Sequence, residues 1–173
     1  MFQGFVQWLQ QTPVSLMLSD TTGFWTWLII PVSQCIHIVG IAMLLICAGM
    51  LNFRLLGIGN SRQSFAQLTA ALMPWIWTSL TVLFLTGTLQ TLAEPGRELL
   101  NIGFKVKMVL LLVVVLVTLF YERSVKNDPQ FWEFSPARRR MGQVLALFSI
   151  VLWIGIATSG RLIAYLDMRR GDF

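Results

Sequence analysis

The chain has 173 residues, of which 55% are hydrophobic and only 12% are charged. Soluble globular domains carry about 25% charged residues, so this composition argues against an ordinary water-soluble globule. The formal net charge is +5. No basic stripe interleaved with aromatic residues lies outside the apolar stretches, so this charge fits an anionic lipid surface and excludes a nucleic-acid partner.

Residues 1–23 are too short and too polar to cross a membrane. Apolar residues recur there at helical spacing on one face, and glutamines occupy the opposite face. The apolar residues are Phe2, Phe5, Val6 and Leu9. This pattern is typical of an amphipathic helix that lies in the membrane interface, and we predict such a segment over 1–23.

Four long, nearly uncharged stretches follow. They cover about residues 24–51, 65–93, 103–122 and 142–166. Each is long enough to cross the hydrocarbon core of a bilayer as a helix. We therefore predict an all-α integral membrane protein, a four-helix bundle over 24–166 with a charged tail over 167–173.

Lysine and arginine are almost evenly divided between the two predicted sides of the membrane. The densest cluster is the run Arg138-Arg139-Arg140 between the third and fourth spans. Basic loops are retained on the cytoplasmic side. We therefore expect a multi-pass protein of the bacterial inner membrane with both termini periplasmic.

His37 is the only histidine and falls within the first predicted span. Neutral imidazole can ligate iron or copper, or donate one hydrogen bond. Ser33 and Gln34 precede it by one turn on the same face, and Gly40 leaves room beside the ring for a planar cofactor. The alternative interpretation is that His37 forms a hydrogen bond across helices, for example to a threonine hydroxyl, and specifies packing.

Three cations are predicted near the periplasmic membrane surface. Arg161 lies within the fourth predicted span, where a guanidinium needs an anion or a route to water. Lys105 and Lys107 begin the third span and could join it in binding a cofactor carboxylate or a lipid phosphate. The alternatives are a salt bridge from Arg161 to Glu94 or Glu98, and simple snorkelling of the lysines.

An alternative hypothesis is that the first two spans line a polar path through the membrane. Ser33, Gln34, Thr78 and Thr81 could form a polar intramembrane face with His37. The spans contain no pair of carboxylates for a familiar proton-relay pump, and the sequence shows no nucleophile motif. No catalytic residue is therefore indicated, and His37 is the one candidate metal ligand.

Several short segments carry a resemblance to a known family. They are Ile36-His37-Ile38-Val39-Gly40, Asn52-Phe53-Arg54-Leu55-Leu56-Gly57, Met73-Pro74-Trp75, Phe104-Lys105-Val106-Lys107 and Gly160-Arg161-Leu162-Ile163-Ala164-Tyr165. From about residue 24 to 165 the chain resembles an uncharacterised bacterial four-helix membrane family, in which aspartate is expected at the position of Asn52. It is distantly similar to copper-resistance D-type proteins and to b-type cytochrome membrane subunits. By analogy, that resemblance implies metal or haem handling.

Three hypotheses follow from these residues. The first is a redox or metal-handling protein that binds haem b, or alternatively copper, through His37, with Gly40, Arg161, Lys105 and Lys107 around the cofactor. The second is an oligomeric channel or transporter for a small cation. The third is a non-catalytic scaffold that serves an unidentified membrane or periplasmic partner. In each case we expect a homo-oligomer in the lipid bilayer, because small residues on the fourth span permit close helix approach.

Overall fold

The structure is a computed structural model that describes the backbone of residues 2–20, 22–58 and 63–170. Side chains are described for residues 3–20, 22–23, 27–58 and 63–160. Seven helices and no strand occur in the described residues, so the all-α prediction is confirmed. The helices are α1 (Phe2–Gln10), α2 (Pro13–Ser19), α3 (Phe24–Leu56), α4 (Phe65–Ala93), α5 (Pro95–Leu99), α6 (Ile102–Asn127) and α7 (Pro136–Arg170).

Four of these helices are long and apolar enough to cross a membrane. They are the segments Trp27–Leu56, Phe65–Ala93, Ile102–Asn127 and Pro136–Gly160. The protein is therefore a multi-pass membrane protein, as the composition predicts.

Three of the four long helices extend past the boundaries predicted from the sequence. Helix α3 continues to Leu56, α6 continues to Asn127, and α7 already begins at Pro136. Charged residues at these ends are compatible with a helix because their long side chains reach water while the backbone stays regular. Helix α3 ends at Gly57, whose φ of 80° lies in the left-handed region that favours glycine.

The long helices pack in the order α4, α3, α7, α6 around the bundle. Contact is most extensive between α3 and α4, followed by α6 with α7 and α3 with α7. Helices α4 and α6 touch much less, so the side between them is the loosest side of the bundle.

The two ends of the bundle differ. One end, here called the α5 end, carries α5 together with the short helices α1 and α2, which pack against α5 and α4. The sequence predicts one interfacial helix, but the chain breaks at Thr12, which caps α2 just before Pro13. The opposite end, here called the Trp132 end, carries the loop of residues 128–135.

The buried core is concentrated toward the Trp132 end. Its members come from all four long helices and from the loop, and they are Leu44, Cys47, Leu51, Leu55, Phe65, Met73, Ile76, Tyr121, Trp132 and Ala146. The half of the bundle nearer the α5 end has no comparable apolar cluster among the described residues. His37 lies in that half.

Candidate intramembrane histidine site

His37 is half-buried on α3 and makes one polar contact across the bundle. Its Nδ1 lies 2.7 Å from Thr86 Oγ1 on α4. Thr86 is seven residues before the end of α4 at Ala93, which corresponds to a depth of about 10 Å at the rise of an α-helix. The structure therefore contains a hydrogen bond between His37 and a threonine hydroxyl. This is the alternative interpretation of His37 given in the sequence analysis.

The hydrogen bonds of Thr86 indicate which imidazole nitrogen carries the proton. Thr86 Oγ1 donates to the Val82 carbonyl at 2.7 Å, and a hydroxyl has only one proton to give. In the tautomer that satisfies both contacts, Thr86 donates to Val82 and accepts from His37, so that Nδ1 carries the proton and Nε2 keeps its lone pair. A histidine whose second nitrogen donates to a fixed oxygen is the usual arrangement of a metal ligand.

The register of α3 and α4 extends this contact into a polar cluster. Gly40 faces Leu83, just as His37 faces Thr86, so the helices run antiparallel and each step along α3 is matched by a step back along α4. Counting one turn further along each helix in this register, toward the α5 end, gives Ser33 on α3 and Gln90 on α4, each with a buried polar atom. The histidine site therefore consists of Ser33 and His37 on α3 and of Thr86 and Gln90 on α4.

Two atoms of this cluster have no hydrogen-bond partner among the described residues. They are Ser33 Oγ and Gln90 Nε2, and both are buried. Ser33 is only 5% exposed. Leaving a buried polar group unpaired costs about 1–3 kcal/mol of folding free energy. The two unpaired atoms therefore lower the stability of the contact between α3 and α4.

Gly40 does not leave an open gap beside the imidazole. A Cβ atom at Gly40 would lie 3.1 Å from Leu83 Cδ2, so α4 occupies the space that the sequence analysis assigns to a planar cofactor. Gly87 is the glycine beside the ring, because a Cβ atom there would lie 3.5 Å from His37 Cε1. The role of Gly40 in this structure is close packing of α3 on α4.

The predicted cations lie toward the same end of the bundle. Lys107 on α6 is near enough to His37 to act on it electrostatically. Lys105 is exposed on the same helix, one turn from its start. The side chain of Arg161 lies outside the described residues, and its suggested partner Glu94 is paired with Arg97 at 2.8 Å.

The polar face predicted for a conduit is not brought together. Ser33 is buried, whereas Gln34, Thr78 and Thr81 are exposed on the outside of the bundle. The hydroxyls of Thr78 and Thr81 donate to carbonyls of their own helix, at 2.8 Å and 2.9 Å. Such bonds satisfy threonine in an apolar helix without a polar path.

Metal ligands other than His37 do not gather at the site. No group of three or more histidine, cysteine, aspartate or glutamate residues could hold a metal ion within the described part of the chain. A shallow pocket of about 350 Å³ is lined by residues of α1, α2 and α5 and by the end of α4, among them Gln10, Ser15 and Arg97. It lies at the α5 end and includes none of the four residues of the histidine site.

Thr86 and Gln90 are the residues of this site that the sequence analysis does not single out. Their spacing of four residues puts both on one face of α4, as Ser33 and His37 are on α3. This shared spacing is the only feature of the sequence that could have indicated Thr86 and Gln90. The sequence does not show which residues of α4 lie opposite His37, so the two pairs could not be connected.

Comparison with known proteins places the chain in a family but not in a functional class. No curated protein and no solved structure matches it. A family described as being of unknown function, DUF6644, has a sequence profile that matches residues 8–166, which is nearly the whole chain. This result agrees with the resemblance seen in the short motifs, and the chain belongs to this family of unknown function, DUF6644.

Proposed function

We propose that this membrane protein binds haem b, with His37 Nε2 as an axial ligand, and serves a redox role. The observation that carries the proposal is the hydrogen bond from His37 Nδ1 to Thr86 Oγ1. It orients the ring, and in the tautomer that satisfies both contacts of Thr86 it leaves Nε2 unprotonated, which is the state an axial haem ligand requires. Haem b, when bound, supplies reversible one-electron exchange at its iron.

The charge near the imidazole favours haem over a bare copper ion. Lys107 acts electrostatically on His37, so a free cation held by Nε2 alone would be repelled. Haem carries two propionate groups, which a lysine ammonium attracts. We assign this role to Lys107, with Lys105 and Arg161 as further cations toward the same membrane surface.

We place the α5 end on the periplasmic side of a bacterial inner membrane. The N-terminal helix α1 and the end of α7 lie at that end, while exposed arginines gather at the opposite one. Arg123, Arg139 and Arg140 are exposed there and form no ion pair with a described residue. Unpaired arginines at one end support a cytoplasmic position for it.

An absorption spectrum of the purified protein tests the proposal. We expect a Soret band in the protein as isolated or after addition of haem, and loss of that band in His37→Ala. Thr86→Val should keep the band but weaken haem affinity by about 10- to 100-fold, as is usual when the partner of a histidine ligand is removed. Affinity is measured by titration of the haem-free protein.

Thr81→Val is the matched control for Thr86→Val. Thr81 is exposed and bonds only its own helix, so its replacement should leave haem affinity unchanged. A wild-type protein that shows no Soret band even with added haem, or a His37→Ala variant that binds haem as tightly as wild type, would contradict the proposal.

A further inference from the structure

The Trp132 end of the bundle carries more positive than negative charge. Each carboxylate among the described residues at this end already forms an ion pair; the pairs are Glu122 with Lys126, Asp128 with Arg138, and Glu133 with Arg54. Arg123, Arg139 and Arg140 are exposed and form no ion pair with a described residue. These three arginines therefore leave this end with positive charge that no carboxylate of the described chain compensates.

The unpaired arginines lie at one level of the bundle, where α6 ends and α7 begins. The Trp132 ring packs edge-on against the ring of Tyr121 on α6. A Cβ atom at Gly142 on α7 would lie 3.0 Å from Cε3 of the same tryptophan. Arg123 follows Tyr121 by two residues and Arg140 precedes Gly142 by two, so both arginines are within about 3 Å of this level along their helices.

Arg140 continues an exposed apolar stripe of α7. The stripe is formed by residues four, seven and eleven positions after Arg140, and they are Val144, Leu147 and Val151. Residues at this spacing share one face of a helix. On a membrane-spanning helix, an exposed apolar face contacts acyl chains. The guanidinium of Arg140 therefore lies where the chains end and the headgroups begin.

Arg123 has the corresponding position on α6. The residues three, seven and eleven positions before it are exposed and apolar, and they are Phe120, Leu116 and Leu112. The lipid-facing stripes of two helices thus each end in an unpaired arginine at the same membrane surface. This arrangement matches a phospholipid, whose phosphate lies directly above its acyl chains, better than a water-soluble acidic partner.

We propose that Arg123 and Arg140 bind the phosphate groups of anionic phospholipids, whose acyl chains lie along the apolar stripes of α6 and α7. A guanidinium can donate two parallel hydrogen bonds to one phosphate. The excess positive charge of the Trp132 end favours a lipid with a net negative charge over a zwitterionic lipid. His37 takes no part in this site, which is therefore independent of the function proposed above.

Titration of the purified protein in detergent with phosphatidylglycerol or with phosphatidylcholine, followed by native mass spectrometry, tests the proposal. We expect wild type to bind phosphatidylglycerol at least about fivefold more tightly than phosphatidylcholine, from the attraction of a basic side chain to anionic lipid. In Arg123→Gln/Arg140→Gln this preference should fall toward unity. Arg123→Lys/Arg140→Lys keeps both charges and should retain most of the preference.

Arg97→Gln is the matched control, because Arg97 is an exposed arginine at the α5 end that is paired with Glu94. This variant should keep the wild-type preference for phosphatidylglycerol. Circular dichroism establishes that each variant is folded. If the double glutamine variant does not fold, Arg140→Gln alone carries the comparison and should show a smaller loss of the same sign.

Equal affinity of wild type for the two lipids would overturn the proposal, and so would a folded double glutamine variant that keeps the wild-type preference. Glycerol phosphate distinguishes a lipid from a free phosphate, since it has the phosphate but no acyl chain. We expect it to displace phosphatidylglycerol only at a large excess. Displacement at equal concentration would mean that the apolar stripes take no part in binding, and it would reject a lipid as the ligand.

Discussion

Replacing Trp132 with alanine is expected to lower the free energy of unfolding by about 3–5 kcal/mol, the usual cost of removing a large buried aromatic side chain. Trp132 is 3% exposed although it lies in a loop. Its ring packs edge-on against those of Phe65, Phe120, Tyr121 and Phe131, at centroid distances of 5.0–6.1 Å. Alanine would leave a cavity among four rings that belong to α4, to α6 and to the loop.

The unfolding of purified protein in detergent, followed by circular dichroism against denaturant, measures this effect. Trp132→Phe should cost much less, because it keeps an aromatic ring and removes an indole nitrogen that has no hydrogen-bond partner among the described residues. Trp75→Ala is the control for loss of a tryptophan from the surface, since Trp75 is 53% exposed. Equal losses for Trp132→Ala and Trp75→Ala would show that the aromatic cluster does not hold the Trp132 end together.

The role of Trp132 could not be predicted from the sequence, although the spans could. Uncharged stretches mark membrane helices because a charge inside lipid is costly, and this rule found all four long helices. The same rule treats residues 123–141 as a polar connection, since it counts their charges and not where each ring points. Arg138 shows the difference: its guanidinium lies 4.4 Å from the centre of the Phe131 ring and helps to cover the loop.

The histidine site was predictable in part. A lone imidazole in a membrane span must find a partner, so the sequence indicates both His37 and a threonine hydroxyl as its contact. It could not select Thr86, because helices that are apolar on all sides carry no stripe that fixes which face meets which neighbour. The open space predicted beside Gly40 is filled by Leu83 of α4. The sequence could not show this, because it does not reveal which residue of α4 lies opposite Gly40.

Asn52 lies in a different environment from the one predicted from the sequence. The first span predicted from the sequence ends at about residue 51, which leaves Asn52 just outside it. In the structure, α3 continues to Leu56 and Asn52 is 1% exposed inside the bundle. A polar residue with this burial in a membrane helix is expected to join helices through hydrogen bonds.

Replacing Asn52 with leucine is therefore expected to destabilise the bundle by about 1–3 kcal/mol, the cost of leaving buried partners unpaired. Asn52 Nδ2 donates to Ser149 Oγ on α7 at 3.1 Å, and Tyr121 of α6 donates through its hydroxyl to Asn52 Oδ1 at 3.5 Å. One side chain thus connects three helices, and leucine offers neither a donor nor an acceptor. The same denaturant titration measures the loss.

A double-mutant cycle with Ser149→Ala separates the hydrogen bond from the packing change. Because the bond from Asn52 to Ser149 is the shorter of the two, the cycle should give a coupling energy of about 0.6–1.7 kcal/mol, between the average and the maximum found for hydrogen bonds between membrane helices. Thr118→Ala is the control, since Thr118 bonds only the Val114 carbonyl of its own helix and should show no coupling to Asn52. Additive losses at positions 52 and 149 would mean that the two side chains are neighbours without a bond, and that shape complementarity alone holds α3 against α7.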